Sequence, residues 1–282
     1  MTYFRIFRQA LVVTLLAGAL GFSPGVLYAQ IPGLIASIER VKPSVVGIGT
    51  YSALRRPPAR PLGTGFAIAD GRHVATGYHV VRNHVAPNGG ERLVVFVGNG
   101  GRVAIRDAEV AAFDEGHDMA ILAFTGAPLP PVRLGTDEPV EEGQLLAFTG
   151  YPMGSIYGFY PVTHRGILSA ITPIVIPQIS PQLLSADMVR RLKGRFNVYQ
   201  LDATAYPGNS GSPVYDARTG HVLAVVSSVF VKESKEKILS EPSGITFATP
   251  IRYLVDLMTR LKLSQDNGPS LEAPAGGPGA KR

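Results

Sequence analysis

Short runs of β-branched and aromatic residues recur along most of the chain and constrain its fold more than any other feature. Most runs are bounded by Gly, Pro, Asn or Asp, a pattern typical of strands joined by tight turns. A dozen such strands with few helices between them predict an all-β barrel or sandwich, and their number fits two six-stranded halves that meet near residues 127–132. The predicted strands are Val45–Thr50, Gly65–Ala69, His73–Thr76, Leu93–Val97, Ala108–Phe113, Met119–Phe124, Leu145–Thr149, Thr163–Ala170, Val198–Ala203, Ser212–Tyr215, Val222–Val231 and Ile245–Thr249.

Three helices are predicted between or after these strands. Leu34–Val41 is short and ends before a proline, and Ser180–Lys193 opens with Ser-Pro and stops at a glycine. The third, Thr249–Lys262, has Thr249 as its expected N-cap and Pro250 at its first position. Its apolar residues recur with helical spacing on one face. We therefore expect this C-terminal helix to dock on the second half of the chain.

The first 29 residues have the layout of a secretory signal peptide. Two arginines precede the apolar run Ala10–Gly21, which is shorter than the roughly 20 residues that a membrane span needs, and Ala29 offers a small residue at the expected cleavage point. We therefore expect export, to a periplasm. Leu27 is larger than the residue usual at that position, which leaves an uncleaved N-terminal anchor open as an alternative.

Two further properties bound the chemistry. The chain contains no cysteine, which excludes a disulfide framework, thiol catalysis and thiolate metal sites. Residues 263–282 are rich in Gly, Pro and Ala and predict a disordered tail after a body of residues 30–262.

Three short motifs hold residues suited to nucleophilic catalysis. His79 follows one predicted strand, Asp118 begins another, and Ser210 lies in the turn Gly-Asn-Ser-Gly-Ser-Pro at 208–213. A serine hydroxyl needs a neutral imidazole to take its proton, and the imidazole needs a buried carboxylate to hold its tautomer. Glycines beside Ser210 allow a turn that directs backbone N–H groups at a developing oxyanion. The sequence therefore predicts a His–Asp–Ser triad.

The order of these residues along the chain distinguishes between the classes of enzyme that use such a triad. The order His, Asp, Ser is that of chymotrypsin-type enzymes, whereas α/β-hydrolases and subtilisin-type enzymes use other orders. His84 is the competing candidate for the base. Asp114 and Glu115 compete with Asp118, but we expect them in a solvated turn before the strand.

Seven blocks of sequence resemble, in order and spacing, those of HtrA/Deg-type trypsin-like serine proteases. The resemblance runs from about Leu34 to Leu261, and it implies two six-stranded antiparallel β-barrels, at about residues 43–126 and 133–249, followed by the C-terminal helix. The blocks are GTGFAI (63–68), TGYHVV (76–81), HDMAIL (117–122), FTGYPMG (148–154), HRGILSA (164–170), LDATAYPGNSGSPV (201–214) and GITFATPI (244–251).

The resemblance also implies roles for individual residues. His79 is then the general base, Asp118 the orienting carboxylate and Ser210 the nucleophile, while the backbone N–H groups of Gly208 and Ser210 form the oxyanion hole. The primary specificity pocket is lined by Thr204, Val226 and Val229. No acid lies there, which disfavours cleavage after Lys or Arg, and we predict small or medium apolar residues before the cleaved bond.

The sequence departs from the family pattern in three places. Many members carry PDZ domains, but only the predicted tail follows Lys262, so we expect the protease domain without a PDZ domain. Residues 171–197 form a long connection where the family has a regulatory loop. Ser212 stands where many members have a second glycine, a change that we expect to be harmless.

Other partners and cofactors receive little support. No H-E-x-x-H motif or metal-ligand spacing occurs, so we expect no cofactor and no metal. Ser234–Lys237 matches S-x-x-K but sits in a charge run that favours a solvated loop. The basic stretches 55–60 and 190–195 lack a nucleic-acid motif, so we expect no nucleic acid and only weak contact with anionic envelope surfaces.

The function that follows is an exported serine endopeptidase that hydrolyses unfolded or damaged proteins through an acyl-enzyme. The resemblance further implies a homotrimer formed through the N-terminal segment. Two other classes stay open. One is a latent or inactive protease fold that binds peptides as a chaperone module in the cell envelope. The other is an envelope-anchored structural protein.

Overall fold

Twelve strands make up most of the regular secondary structure among the described residues. The computed structural model describes residues 33–84, 90–136, 139–152, 159–173, 196–227 and 244–265. The strands are β1 (Val45–Tyr51), β2 (Ala59–Ile68), β3 (His73–Thr76), β4 (Arg92–Asn99), β5 (Arg102–Asp114), β6 (Met119–Phe124), β7 (Leu145–Gly150), β8 (Val162–Pro173), β9 (Asn197–Asp202), β10 (Pro213–Asp216), β11 (Val222–Ser227) and β12 (Ile245–Pro250).

The strands close into two barrels with the same topology. The first has the neighbour order β1-β2-β3-β6-β5-β4, and the second, read from its own first strand, repeats this order as β7-β8-β9-β12-β11-β10. Every pair of neighbouring strands is antiparallel. The prediction of two six-stranded antiparallel β-barrels is therefore confirmed.

The apolar residues form three cores, one inside each barrel and one between them. The sequence of strand β6 is continuously apolar rather than alternating, because both of its faces are buried. Ala120, Leu122 and Phe124 face the interior of the first barrel, whereas Met119 and Ile121 belong to the core between the barrels. A strand that is buried on both faces loses the polar half of the usual alternation. This shared core holds the two barrels against each other.

Three helices of four or more residues are present among the described residues. They are α1 (Leu34–Val41), α2 (Tyr78–Val81) and α3 (Arg252–Arg260). Helix α1 has the predicted bounds. Helix α2 was not predicted, because it is a single turn that follows β3.

The predicted N-cap of the C-terminal helix is wrong. Thr249 and Pro250 are the last residues of β12, where they pair with Val225 and Ala224 of β11, and α3 begins only at Arg252. Sheet pairing thus overrides a local Thr-Pro signal for a helix start. The helix also packs on strands β5 and β6 of the first barrel as well as on β12, rather than on the second barrel alone. Its buried residues Leu254, Leu257 and Met258 join the core between the barrels.

The segment that joins the barrels runs along both of them. The N–H groups of Leu129 and Val132 donate to Gly71 and Ala67 of the first barrel, and Leu134 forms a parallel bridge with Val222 of β11. The predicted signal peptide, the helix Ser180–Lys193, the Ser234–Lys237 loop and most of the C-terminal tail lie outside the described residues. No helix within the described part of the chain is long and apolar enough to cross a membrane.

Candidate active site between the two barrels

His79 lies in the single turn of α2, directly after strand β3. Gly77, between the strand and the helix, has the His79 ring against it, because a Cβ atom at Gly77 would come within 2.8 Å of His79 Cε1. Glycine at this position therefore gives the imidazole its space. The next residue, Val80, is buried in the core of the first barrel and anchors the turn of α2 there.

Asp118 lies directly before strand β6, and its side chain is only 4% exposed. Its Oδ2 accepts a hydrogen bond from His79 Nδ1 at 2.7 Å, and its Oδ1 accepts one from the His79 backbone N–H at 2.9 Å. The Ser227 hydroxyl, at the end of β11, donates to the same Oδ2 at 2.7 Å. Asp118 has a φ of +56°, which lies in the left-handed region that few residues other than glycine adopt.

The surroundings of Asp118 keep its carboxylate charged. Burial alone would raise the pKa of Asp118, but the adjacent His79 and the hydrogen bonds from His79 and Ser227 together hold this pKa below its usual value. An ionised carboxylate only accepts hydrogen bonds, so Nδ1 carries the proton of a neutral His79 ring. The basic nitrogen of that ring is then Nε2.

Ser210 lies in a tight turn between β9 and β10. Gly208 and Gly211 on either side have φ values of +100° and +85°, which L side chains rarely adopt. The Asn209 N–H donates to the Tyr206 carbonyl, and the Gly211 N–H donates to the Val226 carbonyl, both at 2.9 Å. The turn is thus held by its own backbone and by β11.

Contacts with β2 bring this turn to the first barrel. The Thr64 N–H donates to the Ser210 carbonyl at 2.8 Å, and the Thr64 hydroxyl donates to the Gly208 carbonyl at 2.6 Å. A Cβ atom at Gly63 would come within 2.9 Å of both the Ser210 carbonyl oxygen and Val80. The serine turn therefore lies against the residue that follows His79.

Several polar atoms in this region are buried without a hydrogen-bond partner. Within the described ranges these include Nε2 of His79, both side-chain polar atoms of Asn209, and the Ser212 hydroxyl. For His79 this is the basic nitrogen that a serine hydroxyl would have to reach. Catalytic hydrogen bonds are often long in a free enzyme and tighten when substrate binds.

The predicted pocket residues are partly described. Thr204 is half-buried, Val226 is buried in the core of the second barrel, and Val229 lies outside the described residues. Among the competing candidates, Asp114 binds His117 through its side chain at 3.0 Å and also pairs with Arg260. The expectation that Asp114 lies in a solvated turn is wrong, because these partners hold it half-buried at the end of β5.

Two residues with positions at the site were missed in the sequence. Ser227 closes the apolar run of β11, and a polar residue that ends a buried strand is the signal that could have found it. Thr64 belongs to the GTGFAI block, but the predicted strand begins only at the next residue, Gly65. Within the part of the chain that the structure describes, no group of three His, Asp or Glu side chains is arranged to hold a metal ion.

Two closed barrels with a buried His–Asp pair beside a glycine-flanked serine turn define the chymotrypsin-like class of protein. The family model described as a trypsin-like peptidase domain matches residues 63–225, which is more than half of the chain. The chain therefore belongs to the trypsin-like peptidase family.

Relatives and solved structures agree with this family. The chain is 26% identical to a probable periplasmic serine endoprotease DegP-like of Pseudomonas fluorescens, over 93% of this chain and 54% of the relative. It is 28% identical to a protein of the same description from Halomonas elongata, over 72% of this chain and 35% of the relative. The chain thus spans about half, or less, of the length of these relatives.

The crystal structure of Deg5 matches with a TM-score of 0.58 and 25% identity, over 80% of this chain and 92% of that chain. The active form of the Rv3671c protease from M. tuberculosis matches with a TM-score of 0.57 and 23% identity, over 81% of this chain and 85% of that chain, and supports the fold.

Proposed function

We propose that this protein is an exported serine endopeptidase in which Ser210, His79 and Asp118 form the catalytic triad. The observation that carries the proposal is the hydrogen-bonded pair of His79 and the buried Asp118, next to the turn that holds Ser210. Such a pair fixes the basic nitrogen of the imidazole on the side away from the carboxylate. The family and the DegP-like relatives support the same assignment.

In the proposed reaction, the Ser210 hydroxyl oxygen attacks the carbonyl carbon of a peptide bond while His79 Nε2 takes the hydroxyl proton. The backbone N–H groups of Gly208 and Ser210 stabilise the oxyanion of the tetrahedral intermediate. This intermediate collapses to an acyl-enzyme as His79 returns the proton to the leaving amine. Water, activated by the same imidazole, then hydrolyses the ester and releases the second product.

Substrate and location follow from the relatives and from the sequence. We propose unfolded or damaged polypeptides as substrates. The relatives are described as periplasmic, and residues 1–29 have the layout of a signal peptide, so we propose a periplasmic location. We also propose residues 30–262 as the protease domain, and a homo-oligomer as the assembly.

A second candidate is a latent protease fold that binds peptides. The observation that favours it is His79 Nε2, which is buried and has no hydrogen-bond partner among the described residues. In this alternative the triad is completed only by an activating event, or never. The two candidates differ in whether the purified protein reacts covalently at serine.

A fluorophosphonate probe tests the proposal, because it labels only a serine that a base has activated. We expect stoichiometric labelling of the full-length protein and none in Ser210→Ala or His79→Ala. Ser212→Ala is the matched control, since its hydroxyl lies two residues away and makes no hydrogen bond in the described structure, and it should be labelled normally. A folded wild-type protein without label would overturn the endopeptidase and leave the latent fold.

A further inference from the structure

His164 lies in β8 with its ring against the interior of the second barrel. It is the cross-strand neighbour of Phe148 in β7, and the two rings stack with centroids 4.9 Å apart and planes 20° from parallel. The Tyr206 ring also lies beside the His164 ring, with centroids 5.8 Å apart. Phe148 is fully buried, so the imidazole rests on the apolar core of this barrel.

This end of the barrel adjoins the segment proposed to line the primary pocket. Phe148 shares one apolar cluster with Val226 and Ala203, and Ala205 packs against the same cluster. A Cβ atom at Gly166, two residues after His164, would come within 2.9 Å of the Ala203 side chain. Since side chains two apart on a strand share a face, His164 lies beside residues 203–206.

The imidazole has a hydrogen-bonding atom without a partner. Nε2 of His164 is buried and makes no hydrogen bond to any residue that the structure describes. Burial lowers the pKa of His164, so the ring is neutral at neutral pH. A buried polar atom of this kind is costly unless a ligand or water satisfies it.

We propose that His164 is a specificity-determining residue of the primary pocket and that it selects a carboxamide side chain, Gln or Asn, before the cleaved bond. This rests on the proposed function, since it deepens the substrate choice of the same site. A neutral Nε2 donates in one tautomer and accepts in the other, and a carboxamide offers both partners. A lysine ammonium only donates and a carboxylate only accepts, and each would bring a charge into an apolar site.

The proposal replaces the sequence-based expectation of small apolar residues at this position. A bound apolar side chain would leave Nε2 of His164 without a hydrogen-bond partner, because it would also keep water away from that atom. Sites built around a buried hydrogen-bonding group discriminate strongly against ligands that lack the matching group. The two expectations therefore predict measurably different kcat/KM values for peptides that differ only in the residue before the cleaved bond.

Cleavage of matched peptides is the first arm of the test. The peptides differ only in the residue before the cleaved bond, which is Gln, Asn, Glu, Leu or Ala. We expect kcat/KM for Gln or Asn to exceed that for Leu by on the order of tenfold or more. His164→Leu should remove this preference while cleavage after Leu persists, and His164→Gln should restore part of it. His73→Leu, a histidine of the first barrel paired with Asp70, is the control and should keep the preference.

Binding provides the second arm and does not depend on catalysis. In Ser210→Ala, fluorescence anisotropy should show tighter binding of peptides that end in Gln than of peptides that end in Leu, and adding His164→Leu should remove the difference. A preference for Leu, Ala or Glu in either arm, or a Gln preference that survives His164→Leu, would overturn the proposal. Fluorophosphonate labelling of the same preparations separates this failure from failure of the endopeptidase, because a labelled enzyme with the wrong preference contradicts only the role of His164.

Discussion

The two barrels share one strand order but hold their parts of the active site in different ways. The first barrel supplies His79 and Asp118, which are joined by direct side-chain hydrogen bonds. The second supplies the Ser210 turn, whose backbone groups are held by hydrogen bonds within the turn, from β11 and from Thr64. In this second part the side chains of Asn209 and Ser212 are buried without partners among the described residues.

The difference follows from what each group must do. A base has to carry its proton on one defined nitrogen, and the buried Asp118 carboxylate beside the ring sets that tautomer. A nucleophile turn has to direct backbone N–H groups at the substrate, which requires glycines at positive φ rather than side-chain bonds. We therefore expect the first barrel to be sensitive to the chemistry of its side chains and the second to be sensitive to backbone geometry.

The largest effect is expected for Asp118→Asn. The amide N–H₂ group would face His79 Nδ1 and favour the tautomer that carries its proton on Nε2, which cannot take a proton from serine. We expect kcat/KM for peptide cleavage to fall by about 10³- to 10⁴-fold, with the fold retained by circular dichroism. Asp114→Asn is the matched control, because Asp114 forms the same kind of pair with His117 outside the site. It should cost little activity, and equal losses in the two variants would contradict the comparison.

The second barrel is tested by Gly211→Ala. A Cβ atom there would overlap the Thr64 carbonyl oxygen and the Thr76 hydroxyl, and φ is +85°. We expect a loss of roughly 2–4 kcal/mol in the free energy of unfolding, from backbone strain and overpacking together, with loss of fluorophosphonate labelling. Gly90→Ala is the matched control, because its φ is +86° and a Cβ atom there meets nothing within 4 Å. A similar loss in both variants would mean that φ alone, and not contact between the barrels, makes Gly211 necessary.

Much of the fold could be predicted because its signals are local. Strands such as β3 and β6 have the predicted bounds, since turn residues delimit short apolar runs. The start of α3 could not be predicted, because Thr249 and Pro250 are held by pairing with β11, which no local pattern records. In the same way, the motifs singled out His79, Asp118 and Ser210, whereas the contact of Ser227 with Asp118 joins residues that are 109 positions apart.

Ser227→Ala should have the smallest effect, and it tests whether the second barrel contributes to the His–Asp pair. Asp118 would keep both bonds from His79 and lose the one from the Ser227 hydroxyl. Since hydrogen bonds to charged groups contribute about 1.5–3 kcal/mol, we expect the unfolding free energy near neutral pH to fall by an amount in this range. The exposed Ser169 provides a control variant, Ser169→Ala, that should leave stability unchanged.

The dependence of stability on acid pH provides a second measurement for Ser227→Ala. The folded-state pKa of Asp118 is lowered from 3.8, so the stability that its charge contributes is present above pH 3.8 and is lost as the pH falls through the lower folded value. Without Ser227 that folded pKa moves back towards 3.8, and less stability remains to be lost below pH 3.8. The free energy of unfolding should therefore fall less steeply with acid in Ser227→Ala than in the wild type. An unchanged slope would show that the first barrel holds its carboxylate without help from the second.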